Sequence, residues 1–392
     1  MREAVIIDAV RTPVGKCGGQ LKDWHPTDLL AHTIHTLVER TGVAPERLAD
    51  VITGCAIQSG EQAGNIGRWA ALGAGLPQAI AATTIDRQCG SGQQAVHFAA
   101  QGVRSGEYDF AIGCGVESMT RIDLGPLFNP AAGLGPWYGQ SALTRYEGNL
   151  LAQGPSAELV VRKWGMTRAE LDAFSIESHR RAAKATDAGA FADHLVRIKM
   201  TREDGSTAIM MRDEGIRAAI DPAKISSLRP VFAADGAITA GNSSQISDGA
   251  AAVLVADRAT AEAAGMRPKA VIRAMAVAAD DPILQFTAIL PAARKALEQV
   301  GLSIWDIDRI EVNEAFACVP LLFAKEFDIS TDKLNVNGGS IAVGHPLGST
   351  GARLMTDLIY ELERCGGRYG LLTICEGGGM ANATSNASEE NE

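Results

Sequence analysis

Through its first third the chain alternates short apolar runs with stretches whose apolar residues return every third or fourth position. The runs "AVIIDAV", "LADVITGCAI", "AATTIDRQ" and "YDFAIGCGVES" read as strands, the last as rich in small and apolar residues as a buried strand is. Between them "PTDLLAHTIHTLVERTG", "NIGRWAALGAG" and "GSGQQAVHFAAQGVRSGE" read as helices. The first starts near Thr27 or Asp28 and closes at Gly42; the third closes at Gly106. The rhythm breaks between residues 119 and 247. There "LGPLFNPAAGLGPWYGQ", the helices "SAELVVRKWG" and "TRAELDAFSIESHRRAAKATDAG", and the charged "TREDGSTAIMMRDEGIR" read as a long functional insertion or lid. From about 250 the alternation resumes with "GAAAVLVAD", "KAVIRAMAVAA", the helix "ILPAARKALEQVG", "IDRIEVNEA", "GGSIAVGHPLGSTGARLMTDLIYELERCGG" and "YGLLTICEGGGMANA". Each series runs a Gly-rich turn into a helix ("GSGQQAVHF", "GSTGARLMT") and then reaches a related strand ("AIGCGVES", "LLTICEGGG"). This echo predicts two similar α/β halves packed together.

Composition narrows the function classes. At 392 residues the chain has room for two to three domain-sized units, or for two halves sharing one core. A net charge of −10 argues against non-specific nucleic-acid binding, while leaving room for a local basic patch facing a phosphorylated ligand. No run of 18 apolar residues spans a membrane, and charges interrupt what would be a signal sequence, so the expected location is cytoplasmic. The end, "SNASEENE", is polar and acidic, reads as frayed, and carries no peroxisomal tripeptide. Seven cysteines with no CxxC pair support neither a disulfide framework nor a zinc site. His32 and His35 share a helix face without a third ligand and read as surface residues, so no metal is expected.

Candidate chemistry gathers at strand ends. Cys89 sits where a strand gives way to a helix, with Gly90, Ser91 and Gly92 behind it. It reads either as a small buried residue or as a nucleophile whose thiolate is stabilised by the helix N-terminus. On the second reading the glycines give a substrate room and the cysteine's own N–H helps to bind an oxyanion. His345, between a glycine and a proline in "NVNGGSIAVGHPLGSTGAR", is presented in a fixed direction, and histidine is the usual base for a thiol nucleophile. Asn313 in "VNEAFA" can hold a water or an oxygen, or serve as a helix cap. Cys375 precedes three glycines in "TICEGGGMANA". Together these positions supply a nucleophile, a base, a second acid/base and oxyanion donors. A GxGxxG dinucleotide fingerprint, a P-loop and a GxSxG motif are all missing.

The blocks "RTPVGKCGGQL", "RQCGSGQQA", "TAGNSSQISDGAAAVL", "RIEVNEAFA", "NVNGGSIAVGHPLGSTGAR" and "CEGGGMANA", in this order, resemble the thiolase family over essentially the whole chain. The resemblance implies an α/β thiolase fold of two similar βαβαβαββ halves in five layers, α-β-α-β-α. Residues 1–118 with 248–269 would form the N-terminal half, 119–247 an inserted loop domain contacting coenzyme A, and 270–392 the C-terminal half. It also implies a homodimer or homotetramer, coenzyme A and its acyl thioesters as substrates, and no permanently bound cofactor. By the same resemblance Cys89 is the acylated nucleophile, His345 its base, and Cys375 the acid/base serving the α-carbon and the CoA thiol. Asn313, through a water, and His345 would form one oxyanion pocket, and the N–H groups of Cys89 and Gly377 the other. Arg217 and Ser244 match positions that contact CoA.

The activity so implied is thiolytic cleavage of a 3-ketoacyl-CoA in fatty-acid or steroid degradation, the motifs lying nearest actinobacterial degradative thiolases. The alternatives are a biosynthetic acetoacetyl-CoA thiolase, a ketoacyl-synthase-like condensing enzyme and a silent CoA-binding relative. Several positions depart from the family pattern. Asp86 replaces a small polar residue or Asn, Gln93-Gln94 replaces an apolar-lysine type of pair, and Ala152 stands where acetoacetyl-type enzymes carry histidine. The closing stretch "NATSNASEENE" lacks the apolar strand that often ends the fold, which predicts a loosened C-terminal edge.

Overall fold

The computed structural model describes residues 2–125, 138–201 and 205–389. Most of "LGPLFNPAAGLGPWYGQ", part of "TREDGSTAIMMRDEGIR" and the last three residues lie outside the described residues.

Alternating strand and helix signals fold as the periodicity requires. The first series gives β1 (Ala4–Arg11), the short β2 (Gly15–Lys16), α1 (Pro26–Thr41), β3 (Leu48–Gly54), α2 (Ile66–Gly73), β4 (Ala81–Ile85), α3 (Ser91–Ser105) and β5 (Phe110–Ser118). The chain then leaves the sheet for α4 (Gln153–Lys163), α5 (Arg168–Asp187) and the hairpin β6 (Ile198–Thr201) and β7 (Thr207–Met210). It returns as β8 (Ser247–Asp257), antiparallel to β5. The second series gives β9 (Ala270–Ala279), α6 (Ile289–Val300), β10 (Arg309–Val312), α7 (Cys318–Phe327), α8 (Leu347–Cys365), β11 (Tyr369–Glu376) and β12 (Met380–Ser388). Helix ends follow local chemistry. Gly42, Gly106, Gly301 and Gly366 close α1, α3, α6 and α8 in the left-handed conformation. Helix α1 is capped by His25 with Pro26 behind it, two residues ahead of the expected start.

Strand order carries the internal echo into three dimensions. The first half is ordered β4-β3-β5-β8-β1 and the second β10-β11-β12-β9, with Leu334 bridging β10 where the first half has β4. The halves meet through two register pairs, Val5 with Val271 and Ile6 with Ala270, which join the sheets edge to edge. Three apolar clusters fill the layers. One packs α1 and α2 on the outer face of the first sheet, and another packs α6 and α7 on the outer face of the second. The third sets α3 and α8 between the two sheets. Residues of β12 are buried although half of them are polar, so the C-terminal edge is not loosened: β12 pairs with β11 on one side and β9 on the other along its length. Two of its polar side chains, Asn382 and Thr384, are met from α3. Gln93 Nε2 donates to Thr384 Oγ1 at 2.6 Å, His97 Nε2 lies 2.6 Å from the same oxygen, and Asn382 Nδ2 donates to Gln94 Oε1 at 3.1 Å. Gln93 and Gln94 therefore answer the polar strand, and the two departures from the family pattern explain each other.

The inserted segment is tied in by buried charge. Arg11, fully buried at the end of β1, donates to both carboxylate oxygens of Asp213 (2.8 and 3.1 Å) and through Nε to Asp357 of α8 at 2.7 Å. His194 Nε2 lies 2.9 Å from the same Asp357 oxygen. No helix among the described residues is long and apolar enough to cross a membrane.

Candidate active site

Helices α3 and α8 approach so closely that several side chains must be absent. A Cβ on Gly92 would stand 2.6 Å from the Gly348 carbonyl oxygen and 2.9 Å from the Ala352 nitrogen; one on Gly351 would stand 2.1 Å from the Gln93 nitrogen. The crossing lies at the N-terminal turns of both helices. Cys89 precedes the first residue of α3 by two positions, and His345 precedes the first residue of α8 by two, so the crossing sets the two turns side by side. Gly92 thus receives the facing helix rather than a substrate. Gly90 is filled too: a Cβ there would meet the Glu376 carboxyl. Glu117 locks the crossing from below. Fully buried near the end of β5, it accepts from the amides of Ala56 (2.9 Å), Ile57 (3.2 Å) and Gly348 (2.9 Å), and from Gln62 Nε2 at 2.5 Å. Sequence reading passed over it, although a carboxylate in an otherwise apolar strand was the available signal.

His345 is held at both ring nitrogens. Nδ1 lies 2.7 Å from Thr350 Oγ1, whose own proton goes to the Pro346 carbonyl at 2.8 Å. Thr350 can then only accept, which assigns the ring proton to Nδ1 and leaves Nε2 as the basic nitrogen. Nε2 faces Asn313 Nδ2 at 3.3 Å. The Asn313 amide is oriented in turn by Ser340, which donates to its Oδ1 at 2.6 Å, and Arg353 donates to Ser340 at 3.1 Å. Burial, with Arg353 nearby, lowers the imidazole pKa to about 3, so the ring is neutral and able to accept a proton.

The two thiols face the opposite way electrostatically. Burial pushes Cys89 up to about 12, and the helix N-terminus does not offset it, so the resting group is a thiol and not the stabilised thiolate expected from its position. Gln153 Nε2, at the start of α4, lies 4.0 Å from Cys89 Sγ. Gln153 directly follows Ala152, the position matched to histidine in acetoacetyl-type enzymes, and its role rests on tertiary contact that sequence spacing could not reveal. Cys375, fully buried near the end of β11, is raised well above the ordinary thiol range by burial first and by its neighbour Cys89 next. Asn313 follows β10, beside β11, its amide donating to the Thr373 carbonyl at 3.1 Å. Gly377 is packed against Gln88, itself held in the left-handed region at φ 50°. Ser244 donates its amide to the Ala315 carbonyl at 2.9 Å, beside the "NEAFA" turn, while His345 donates to the Gln245 carbonyl at 3.1 Å. Arg217 does not join these contacts: it is exposed, its amide donating to His179 Nδ1 at 3.1 Å.

Two buried neutral thiols, an imidazole whose basic Nε2 is met by the Asn313 amide, and that oriented amide can move protons and carry an acyl group as a thioester. Residues 4–259 match the thiolase N-terminal domain, and residues 266–386 match the thiolase C-terminal domain. A steroid 3-ketoacyl-CoA thiolase, FadA6, of Mycobacterium tuberculosis is 43% identical over 98% of this chain and 94% of its own length. A 3-ketoacyl-CoA thiolase of Bacillus subtilis is 40% identical over 98% of both chains. The crystal structure of the Bacillus anthracis acetyl-CoA acetyltransferase superposes with a TM-score of 0.89, at 36% identity and over 99% of each chain. The doubled strand order, the paired N-terminal turns that carry a cysteine and a histidine, and these matches over both halves place the chain in the thiolase family.

Proposed function

We propose that the protein is a degradative 3-ketoacyl-CoA thiolase, cleaving its substrate with coenzyme A to acetyl-CoA and a shortened acyl-CoA. The observation that supports this reading is that a neutral imidazole, its Nε2 unprotonated, and the buried neutral thiol of Cys89 stand at the N-terminal turns of two helices that cross at Gly92 and Gly348, with the neutral thiol of Cys375 next to Cys89. The Cys89 thiol gives its proton to His345 Nε2 as Sγ attacks the 3-keto carbon. The C2–C3 bond then breaks, leaving the acyl group on Cys89 and an acetyl-CoA enolate whose oxygen lies at Asn313 and His345. Cys375 protonates C2 and becomes a thiolate. It next takes the proton of the incoming CoA thiol, whose sulfur attacks the thioester carbonyl. That carbonyl's oxygen develops its charge towards the N–H groups of Cys89 and Gly377, and the departing Cys89 sulfur recovers its proton from His345. Burial suits the resting site, where the thiols and the imidazole are neutral and no charge stands unpaired among them, and the charge that develops on each substrate oxygen is met by its own pocket of donors.

Residues 119–247 act in this reading as an inserted loop domain between the two halves (1–118 with 248–269, and 270–392), offering CoA a face near Ser244 and Arg217. Exposed Val231, Phe232 and Ile246 give that face apolar surface. Kinetics over straight, branched and ring-bearing 3-ketoacyl-CoAs test the reading: thiolysis of chains longer than acetoacetyl is expected, and strict preference for acetoacetyl-CoA would overturn it in favour of acetoacetyl-CoA synthesis. Cys89→Ser should abolish turnover, and a serine variant with full thiolysis would remove Cys89 from its role. The protein acts as a homodimer or a dimer of dimers. Strand β4 is an open sheet edge, and Trp69 and Phe98 are 58% and 39% exposed. Light scattering should give at least twice the chain mass, falling to one chain in Thr83→Pro. Seven free thiols, Cys17 among them exposed, suit a reducing compartment such as the cytoplasm.

A further inference from the structure

Glu376 lies fully buried at the end of β11, between Cys375 in sequence and Gly90 in space, and neither of its carboxyl oxygens has a hydrogen-bond partner. Its counterpart in the first half is Glu117. Each glutamate stands near the end of the corresponding strand of its half, β5 or β11, against the N-terminal turn of the middle helix from the other half. Glu117 spends its oxygens on three amides and a glutamine, as a carboxylate that fastens α8. Glu376 faces the turn that carries Cys89 and fastens nothing. A buried carboxylate without donors is costly, whereas a carboxylic acid there carries no charge. Both cysteines sense this group, for a charge on it opposes ionisation of Cys89 and of Cys375 alike.

We propose that Glu376 is a positioning residue of the acyl-transfer site, kept as a neutral acid whose ionisation sets a negative charge beside Cys89 and Cys375 and switches both off. The idea rests on the thiolase reading above. Burial raises the carboxyl to about 9, with Arg87 lowering it and Asp86 raising it. Among the described residues, the titratable and charged groups that interact with it are those two charges, Cys89 on the same loop and Cys375 on β11. Asp86 is therefore a tuning charge on the catalytic turn, which gives this departure from the family pattern a role.

The test is the pH dependence of thiolysis in single variants. Wild-type kcat/KM should fall as pH rises through about 9, and E376Q should carry that limb at least one pH unit higher. D86N should move the limb to lower pH and R87Q to higher pH, because each removes a charge of opposite sign acting on Glu376. Cys89 alkylation by iodoacetamide at pH 10 should be about tenfold faster in E376Q than in wild type. A melting-temperature advantage of E376Q over wild type should grow from pH 5 to pH 9, since only the wild type must keep a proton that its unfolded chain has lost. Superimposable limbs and equal alkylation rates in E376Q and wild type would overturn the proposal. Should E376Q not fold, opposite shifts in D86N and R87Q support the proposal, and identical profiles in those two variants and wild type overturn it. Mass spectrometry of the wild-type acyl-enzyme separates the two ideas. If no acyl group appears on Cys89 the thiolase reading itself fails; if one appears and the limb does not move, only the role of Glu376 fails.

Discussion

A histidine whose pKa sits at about 3 is neutral across the working pH range, so the rate of thiolysis near neutrality should not follow its titration in the free enzyme. Cys89 matches it, because a thiol pushed up to about 12 keeps its proton until a substrate and a base are both in place. Its alkylation in the wild type at pH 7.5 should accordingly be far slower than that of a free cysteine, whose thiol titrates near 8.5. Rapid labelling with an apparent pKa below 7 would mean a preformed thiolate–imidazolium pair instead. Replacing His345 with Ala should cost on the order of 10²–10⁴ in kcat. Ser340→Ala should lower kcat by about tenfold while KM stays put, because Asn313 loses the donor that orients its amide before any substrate contact is lost. At this scale the sequence marks candidates where chemistry comes with a local signature, Cys89 ahead of its glycines, His345 in its stiffened loop and Cys375 before its own glycines, and the structure buries all three. Gln153, Ser340 and Thr350 were not legible, since each acquires its part from a neighbour that only folding supplies.

Among elements, the sharpest lesson is the polar strand β12. "NATSNAS" lacks the apolar alternation by which a half-buried strand is recognised, and so it read as a loose end. The structure buries it because Gln93, Gln94 and His97 reach it from the facing helix α3. Pattern rules assume an apolar partner, and here the partner is polar. Thr384→Val should cost about 2–4 kcal/mol in urea unfolding, because Gln93 and His97 then lose their shared acceptor in a dry layer. The helices were read well for the complementary reason: capping residues and glycine stops are local. Thr167 and Glu170 form a reciprocal capping box at the start of α5, a pairing that sequence spacing carries outright. The α3–α8 crossing was hidden, since a glycine in a helix announces freedom but not what will occupy it. Gly92→Ala should lower kcat far more than it alters substrate binding, as the Cβ forces α8 away from the turn that bears Cys89.

For the whole molecule, four buried histidines bear on the acid side of stability, His194 being lowered by burial like the other three. His97 and His345 are lowered by burial to about 3, and His179 to about 4. The unfolded imidazoles take up protons below about 6.5 while the folded ones resist, so stability is fully present above 6.5 and drains away as pH falls towards 3. The loss is as much as about 4–5 kcal/mol for each deeply shifted ring. Glu376 works in the other direction, its cost growing as pH rises from the ordinary carboxyl range to about 9. Thermal unfolding against pH should therefore show a steep acid slope, shallower in His97→Gln. Arg11→Met should cost about 3–5 kcal/mol by leaving Asp213 buried without its bidentate cation, while Asp357 retains Arg353. The two-half architecture was readable from the repeated turn-and-strand motifs, but the order of strands within each sheet was not, because order is a fact about returning chain and not about any one segment. That order carries a consequence for how such an enzyme comes to exist. In the proposed reaction the nucleophile stands at the N-terminal turn of one half's central helix and its base at that of the other's, with a glutamate from the opposite sheet lying against each turn. Neither half alone owns a reaction. Chemistry here is a property of the union, acquired only once two copies of an otherwise inert fold are held face to face.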